Sequence, residues 1–94
     1  MKNILADVEQ KHYFWLKDGR ILKNLNDLYN ALTNMAEEVF KHHVNAAKND
    51  FHNWVRDIQQ DQKLARGLLK AKTREQTANA VKNRIQELQK KFKK

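Results

Sequence analysis

The residues of this chain with the most versatile chemistry are its histidines and carboxylates. His42, His43, His52 and Asp50 lie within eleven positions, and Glu38 stands four residues before His42. A carboxylate and an imidazole one helical turn apart can share a divalent ion such as zinc. Adjacent side chains on a helix diverge by about 100°, however, so His42 and His43 do not readily chelate one ion. No His-Glu-x-x-His signature occurs either. The expectation is no metal site: His43 packs inward with a ring nitrogen bonded to backbone, and Asn49 and Asp50 stabilise the turn before Trp54. A His43 buried in the neutral form must charge on acidification, which makes folding pH-dependent. Catalysis finds little to work with. The chain has no Cys and no Ser, and its carboxylates are scattered, so no nucleophile with an attendant base can be picked out. An enzyme, a cofactor and a small-molecule substrate are not expected.

The cations form the second chemical group. The net charge of +8 is lopsided: residues 1–62 carry 8 Lys/Arg and 9 Asp/Glu, whereas residues 63–94 carry 11 Lys/Arg and 2 Asp/Glu, an excess of +9. Lys63, Arg66, Lys70, Lys72, Arg74, Lys82, Arg84, Lys90, Lys91 and Lys93 are the phosphate-seeking candidates, since clustered cations raise the local potential and release counterions on binding a polyanion. Asn79, Asn83, Gln86 and Gln89 share the polar face of the last helix with them and can bond phosphates or base edges. Trp15 and Tyr13, beside Lys17 and Arg20, could stack on bases or touch a groove. The plainer expectation for Trp15 is a cross-strand pair with Leu22 beneath a helix.

These side chains need elements to position them. With 94 residues, no Pro and only Gly19 and Gly67, one domain is expected over 1–94, without a Gly-rich phosphate loop. Hydrophobic residues at 40% and charged residues at 32% exclude a disordered chain, and no apolar run approaches the roughly 18 residues of a bilayer span. Neither a signal peptide nor membrane insertion is therefore expected, and the cytoplasm is the anticipated location. Ile4, Leu5 and Val8 suggest one or two helical turns, with Asn3 as N-cap. Residues 12–24 read as a hairpin around Asp18-Gly19, and a two-residue type I′ turn would pair Leu16 with Ile21, Trp15 with Leu22 and Phe14 with Lys23. That register puts Phe14, Leu16 and Ile21 on the core face.

The helical core spans 25–70. Leu25, Leu28, Leu32 and Met35 form a stripe after the Asn24 cap, and a short helix from about 36 to 44 carries Val39, Phe40, His43 and Val44 inward. Asn45 is a candidate cap for a helix presenting Phe51, Trp54, Val55 and Ile58, and Asp61 opens the next, with Leu64, Ala65, Leu68 and Leu69 apolar. Thr73 and Gln76 fit a capping box that starts a long basic helix over 73–92. Its Ala78, Val81, Ile85, Leu88 and Phe92 alternate in steps of three and four, the narrow seam of a heptad. Such a seam suits packing on its own domain. A homodimer contact through Val81, Ile85, Leu88 and Phe92 is the alternative.

The fold class that follows is mostly α with a small N-terminal β-hairpin, a compact domain of about five helices. From Tyr13 to Leu69 the chain resembles a small domain family of unknown function found in archaea and bacteria. The resemblance is carried by Tyr13-Phe14-Trp15-Leu16, Asp18-Gly19-Arg20, Lys23-Asn24-Leu25, Phe40, His42-His43-Val44-Asn45, Lys48-Asn49-Asp50-Phe51, Asn53-Trp54-Val55 and Leu64-Ala65. It implies a shared scaffold and no activity. Ala36 stands where the family usually has an acidic or hydroxyl residue, and the basic tail departs from members that are more acidic after the Leu-Ala pair.

Charge and composition together lead to the expectation of a small, basic, non-enzymatic nucleic-acid-binding protein, with DNA favoured. It would act as an architectural or accessory protein, nucleoid-associated, gripping phosphates with little sequence preference. A protein-interaction module or homodimer built on the helical seam is the alternative.

Overall fold

The chain first reverses at Asp18-Gly19, and the form of that reversal decides which hairpin residues enter the core. In the computed structural model, which describes residues 4–92 with side chains through Lys91, β1 (Phe14–Trp15) and β2 (Ile21–Leu22) are antiparallel. The pairs are Phe14 with Leu22 and Trp15 with Ile21, one residue away from the expected register. Gly19 N–H donates to the Leu16 carbonyl and Leu16 N–H to the Arg20 carbonyl, both at 2.9 Å. This three-residue connection has Gly19 at φ +95°, a left-handed position that a glycine occupies without a Cβ penalty. The Asp18 carboxylate supports it by accepting from Arg20 N–H at 3.1 Å. A one-residue slip exchanges the faces of a strand. Leu22 is therefore buried and Ile21 exposed, with Phe14 and Leu16 facing inward.

From Ile4 to Glu9 the chain does not form the expected helix. Val8 N–H donates to the Lys23 carbonyl at 2.8 Å, so this segment runs beside the hairpin, and a single 3₁₀ turn over Gln10–His12 follows. Asn3 lies outside the described residues.

Five α-helices make up the rest: α1 (Leu25–Asn34), α2 (Glu37–His43), α3 (Asp50–Trp54), α4 (Gln62–Lys70) and α5 (Arg74–Phe92). Asn24 and Asp61 cap α1 and α4 as expected, accepting from Asp27 N–H and Leu64 N–H. Thr73 accepts from Gln76 N–H at 3.0 Å, while the Gln76 side chain reaches Lys72 N–H at 2.8 Å, one residue before the partner of a regular capping box. The cap of α3 is Asn49, not Asn45. Asn45 instead closes the preceding loop, bonding the Lys41 carbonyl and accepting from Ala47 N–H. Beyond Trp54 the helix widens into a π turn over Val55–Gln59, ended by Gln60 at φ +59°. The wider turn brings Gln59 into the interior, 1% exposed, and leaves Ile58 half-buried.

One core joins every element. Leu16 and Leu22 from the hairpin meet Leu25, Leu28 and Leu32 of α1, Phe40 of α2, Phe51 and Trp54 of α3, Leu64 and Leu68 of α4, and Val81, Ile85 and Leu88 of α5. Each such side chain contributes about 2 kcal/mol when fully withdrawn from water. The Cα radius of gyration, 12.5 Å, matches the roughly 12 Å of a single compact body this long. The α5 seam lies on α1 and α4. With Val81, Ile85 and Leu88 at most 6% exposed, those three residues offer no surface to a second copy. The Phe92 side chain lies outside the described residues. No helix among the described residues is long and apolar enough to cross a membrane.

Candidate nucleic-acid interface

α4 and α5 carry the expected cations, and side-chain pairing divides them into two groups. The first group is paired with carboxylates or carbonyls of neighbouring elements. Arg84 Nε lies 2.8 Å from Asp61 Oδ2, the Arg84 side chain is 15% exposed and that of Asp61 only 1%. The hydrogen bond that Arg84 donates to Asp61, with the charge beside it, raises the Arg84 pKa above its ordinary value, against the effect of burial. Arg74 donates to the Leu32 carbonyl and to Glu37, locking the start of α5 onto the end of α1 and onto α2. Both were expected to meet phosphates. Both are instead clamps between elements, because a guanidinium satisfies a buried carboxylate or a helix-end carbonyl with several donors at once. Lys63 pairs with Glu87 across α4 and α5 at 2.9 Å, and this bond holds the Glu87 carboxyl below its usual range.

The second group is free of ion pairs among the described residues: Arg66 and Lys70 on α4, and Lys82, Lys90 and Lys91 on α5, all exposed. Lys72 is also exposed, with Nζ 3.4 Å from the Leu69 carbonyl. Arg66 and Lys70 are one turn apart on a helix that buries Leu64, Ala65 and Leu68. On α5, Arg84 and Glu87 mark the flank that meets α4. Lys91 falls between Arg84 and Glu87 on that flank, and Lys90 lies about 60° beyond Glu87, toward solvent. Lys82, two residues before Arg84, is turned about 160° away from it. Arg66, Lys70 and Lys91 are thus exposed along the α4–α5 flank, whereas Lys90 points outward, about 120° around the helix from Arg84 and about 80° from Lys82. From Arg74 to Lys91 that flank extends about 26 Å. Lys93 lies outside the described residues.

The hairpin differs from expectation in the opposite sense. Trp15 pairs with Ile21 and is 64% exposed, with no helix over it. Arg20 folds back onto Asp18, its Nη2 2.9 Å from Oδ2, and this bond lowers the Asp18 pKa. Lys17 stays exposed. Tyr13 is half-buried beneath Lys23, whose Nζ stands 5.7 Å from the ring centroid.

His43 and His52 are buried and hydrogen-bonded within the fold, whereas His42 is exposed. His43 is 5% exposed; Lys17 N–H donates to its Nε2 at 3.1 Å, and its Nδ1 lies 3.0 Å from Asp50 Oδ2. An Nε2 that accepts a backbone proton is bare, so Nδ1 carries the hydrogen and donates it to Asp50. Burial opposes ionisation of Asp50, but the bonds from His43 and Lys48 prevail and its pKa is lowered. The same imidazole packs against Phe14 and Phe51, and Phe14 reaches Trp54 at 5.8 Å. His52 Nδ1 donates to the Ala65 carbonyl at 2.7 Å and ties α3 to α4. No group of three His, Asp or Glu among the described residues is placed to hold a metal ion.

No family model, no curated protein and no solved structure matches the chain.

Sequence reasoning missed the Arg84–Asp61 clamp and the use of both His43 nitrogens. The Asp61 cap was visible in the local pattern, but its partner 23 positions away was not. A second omission is a cleft of about 480 Å³ between the Asn45–Asn49 loop and the α4–α5 junction.

Proposed function

We propose that this protein is a small, basic, non-enzymatic nucleic-acid-binding protein that grips phosphates through α4 and α5 with little sequence preference. The observation that carries this reading is the set of exposed cations along α4 and α5, Arg66, Lys70, Lys90 and Lys91, that have no carboxylate partner among the described residues. Such a strip neutralises phosphates and displaces counterions without reading bases. Duplex DNA is the favoured partner, and the role is architectural or accessory, in the cytoplasm and associated with the nucleoid. Exposed Trp15 beside Lys17 supports a second contact, an aromatic face against bases or a groove wall. The burial of Val81, Ile85 and Leu88 in the chain's own core favours this reading over a homodimer built on that seam.

The test replaces Arg66, Lys70, Lys90 and Lys91 together by Gln and leaves Arg74 and Arg84 in place. Duplex DNA should bind more weakly, and the slope of log affinity against log salt should shrink by roughly 3 to 4, the contribution of four phosphate contacts. Lys82→Gln should change either quantity little. Unchanged affinity and slope in the fourfold variant would overturn the reading, as would heparin competing as well as DNA of equal charge.

A further inference from the structure

A cleft of about 480 Å³ lies at the α4–α5 junction next to Lys70 and has its own chemistry. Its walls are the loop over Asn45–Asn49 and the α4–α5 junction, with Val44, Ala47, Leu69 and Ala71 as apolar lining and Lys48 and Lys72 as its charged lining residues. No carboxylate lines it. Leu69 is 51% exposed, a large apolar side chain left in water at the mouth of a concave site.

The loop is rigidly built. Asn45 N–H donates to the Lys48 carbonyl at 2.9 Å, Val44 bridges to Asn49, and the Asn49 side chain donates to the Leu68 carbonyl at 3.1 Å. Both walls are thereby fixed to each other through Asn49, so binding would not have to order the loop. The Lys48 ammonium gives one hydrogen bond to Asp50 at 3.0 Å and keeps two further donors. Lys72 makes only a 3.4 Å contact to the Leu69 carbonyl. The volume falls within the range of small-ligand sites, about 300–1,000 Å³.

We propose that this cleft binds a single nucleotide unit, the base lying on Leu69 and Ala71 and the phosphate held between Lys48 and Lys72. Two cations beside an apolar floor, one of them shared with Asp50 behind it, select a ligand having a flat apolar body and an anionic group. A nucleotide has that chemistry whether free or at the end of a strand. The inference deepens the nucleic-acid reading and rests on it for the source of the ligand, since Lys70 of the strip is two residues from Lys72.

The experiment maps amide shifts of the full chain on addition of adenosine monophosphate, adenosine or inorganic phosphate. Asn45–Asn49, Leu69, Ala71 and Lys72 should respond to the nucleotide, and Lys72→Gln, which leaves the Asp50 contacts intact, should weaken it about tenfold. Arg66→Gln with Lys90→Gln should weaken duplex binding and leave the nucleotide shifts unchanged. A 5′-phosphorylated single strand binding tenfold tighter than the free nucleotide would support a strand end as the source; equal affinities would support the free nucleotide. Shifts absent from the cleft, or insensitive to Lys72→Gln, would overturn the site while leaving the strip untouched. Phosphate or adenosine alone binding as well as the nucleotide would also overturn the assignment.

Discussion

Replacing Arg84 by Gln should unfold this protein far more readily than any neighbouring loss of charge, although Arg84 sits in the most basic segment of the chain. Its Nε is 2.8 Å from Asp61 Oδ2, and Asp61 is 1% exposed at its side chain. The other Asp61 oxygen accepts from Leu64 N–H at 3.2 Å as the cap of α4. Removing the guanidinium leaves a carboxylate with no route to water, and breaking a buried pair from one side costs about 3–5 kcal/mol. Arg84 retains some solvent contact and a second, longer bond to Glu87 at 3.4 Å, which places the expected loss nearer 2–4 kcal/mol. For a chain of this length that corresponds to a fall in Tm of roughly 10–25 °C. Lys82→Gln, on the same helix, should stay within about 0.5 kcal/mol of the parent. Urea denaturation of Arg84→Gln, Asp61→Asn and the double variant would measure the coupling directly. Asn keeps an acceptor for Leu64 and removes the stranded charge, so the double variant should recover about 1–3 kcal/mol relative to the sum of the singles. A loss in Arg84→Gln no larger than in Lys82→Gln, or a coupling near zero, would refute the argument. The same result matters for function, because a DNA-binding defect in Arg84→Gln would then report folding and not phosphate contact.

Three further expectations rest on separate features. Gly67→Ala should stabilise α4 by about 1 kcal/mol in urea melts, because the added Cβ meets nothing within 4 Å and glycine weakens a helix interior by that amount. Gln59→Met should leave stability unchanged or raise it by about 1 kcal/mol, since the buried Gln59 Nε2 has no hydrogen-bond partner and its desolvation is uncompensated. Asp50 has a lowered pKa in the fold, so its contribution is complete above the ordinary value near 3.8 and is lost as pH falls through the lower, folded value. Urea titrations between about pH 5 and pH 2 should therefore show an acid-limb loss in the parent that Asp50→Asn lacks.

Much of the architecture was legible because it depends on local order. The caps Asn24 and Asp61, the stripe of Leu25, Leu28 and Leu32, and the seam of Val81, Ile85 and Leu88 are patterns within a few turns, and each forms where the spacing places it. The hairpin register was not legible. Asp18-Gly19 is compatible with a two-residue or a three-residue connection, and the choice fell to whichever register buries Leu22 against α1 with Leu16. The candidate site was only half legible for a related reason. A count of cations is additive along the chain, whereas the partner of each cation depends on which carboxylate the fold brings near.

Chain order alone determined a mostly helical body, a hairpin at Asp18-Gly19 and an excess of positive charge after residue 62. Tertiary structure decided which of those charges face water. Arg74 and Arg84 are held by Glu37, the Leu32 carbonyl and Asp61, while Arg66, Lys70, Lys90 and Lys91 stay unpaired among the described residues. It also left Trp15 bare and used both nitrogens of His43 to dock the hairpin. The physical reason is one of range. Helix caps and apolar stripes act over a few residues, whereas ion pairs and side-chain hydrogen bonds across 23 to 42 positions exist only once packing has closed the intervening chain.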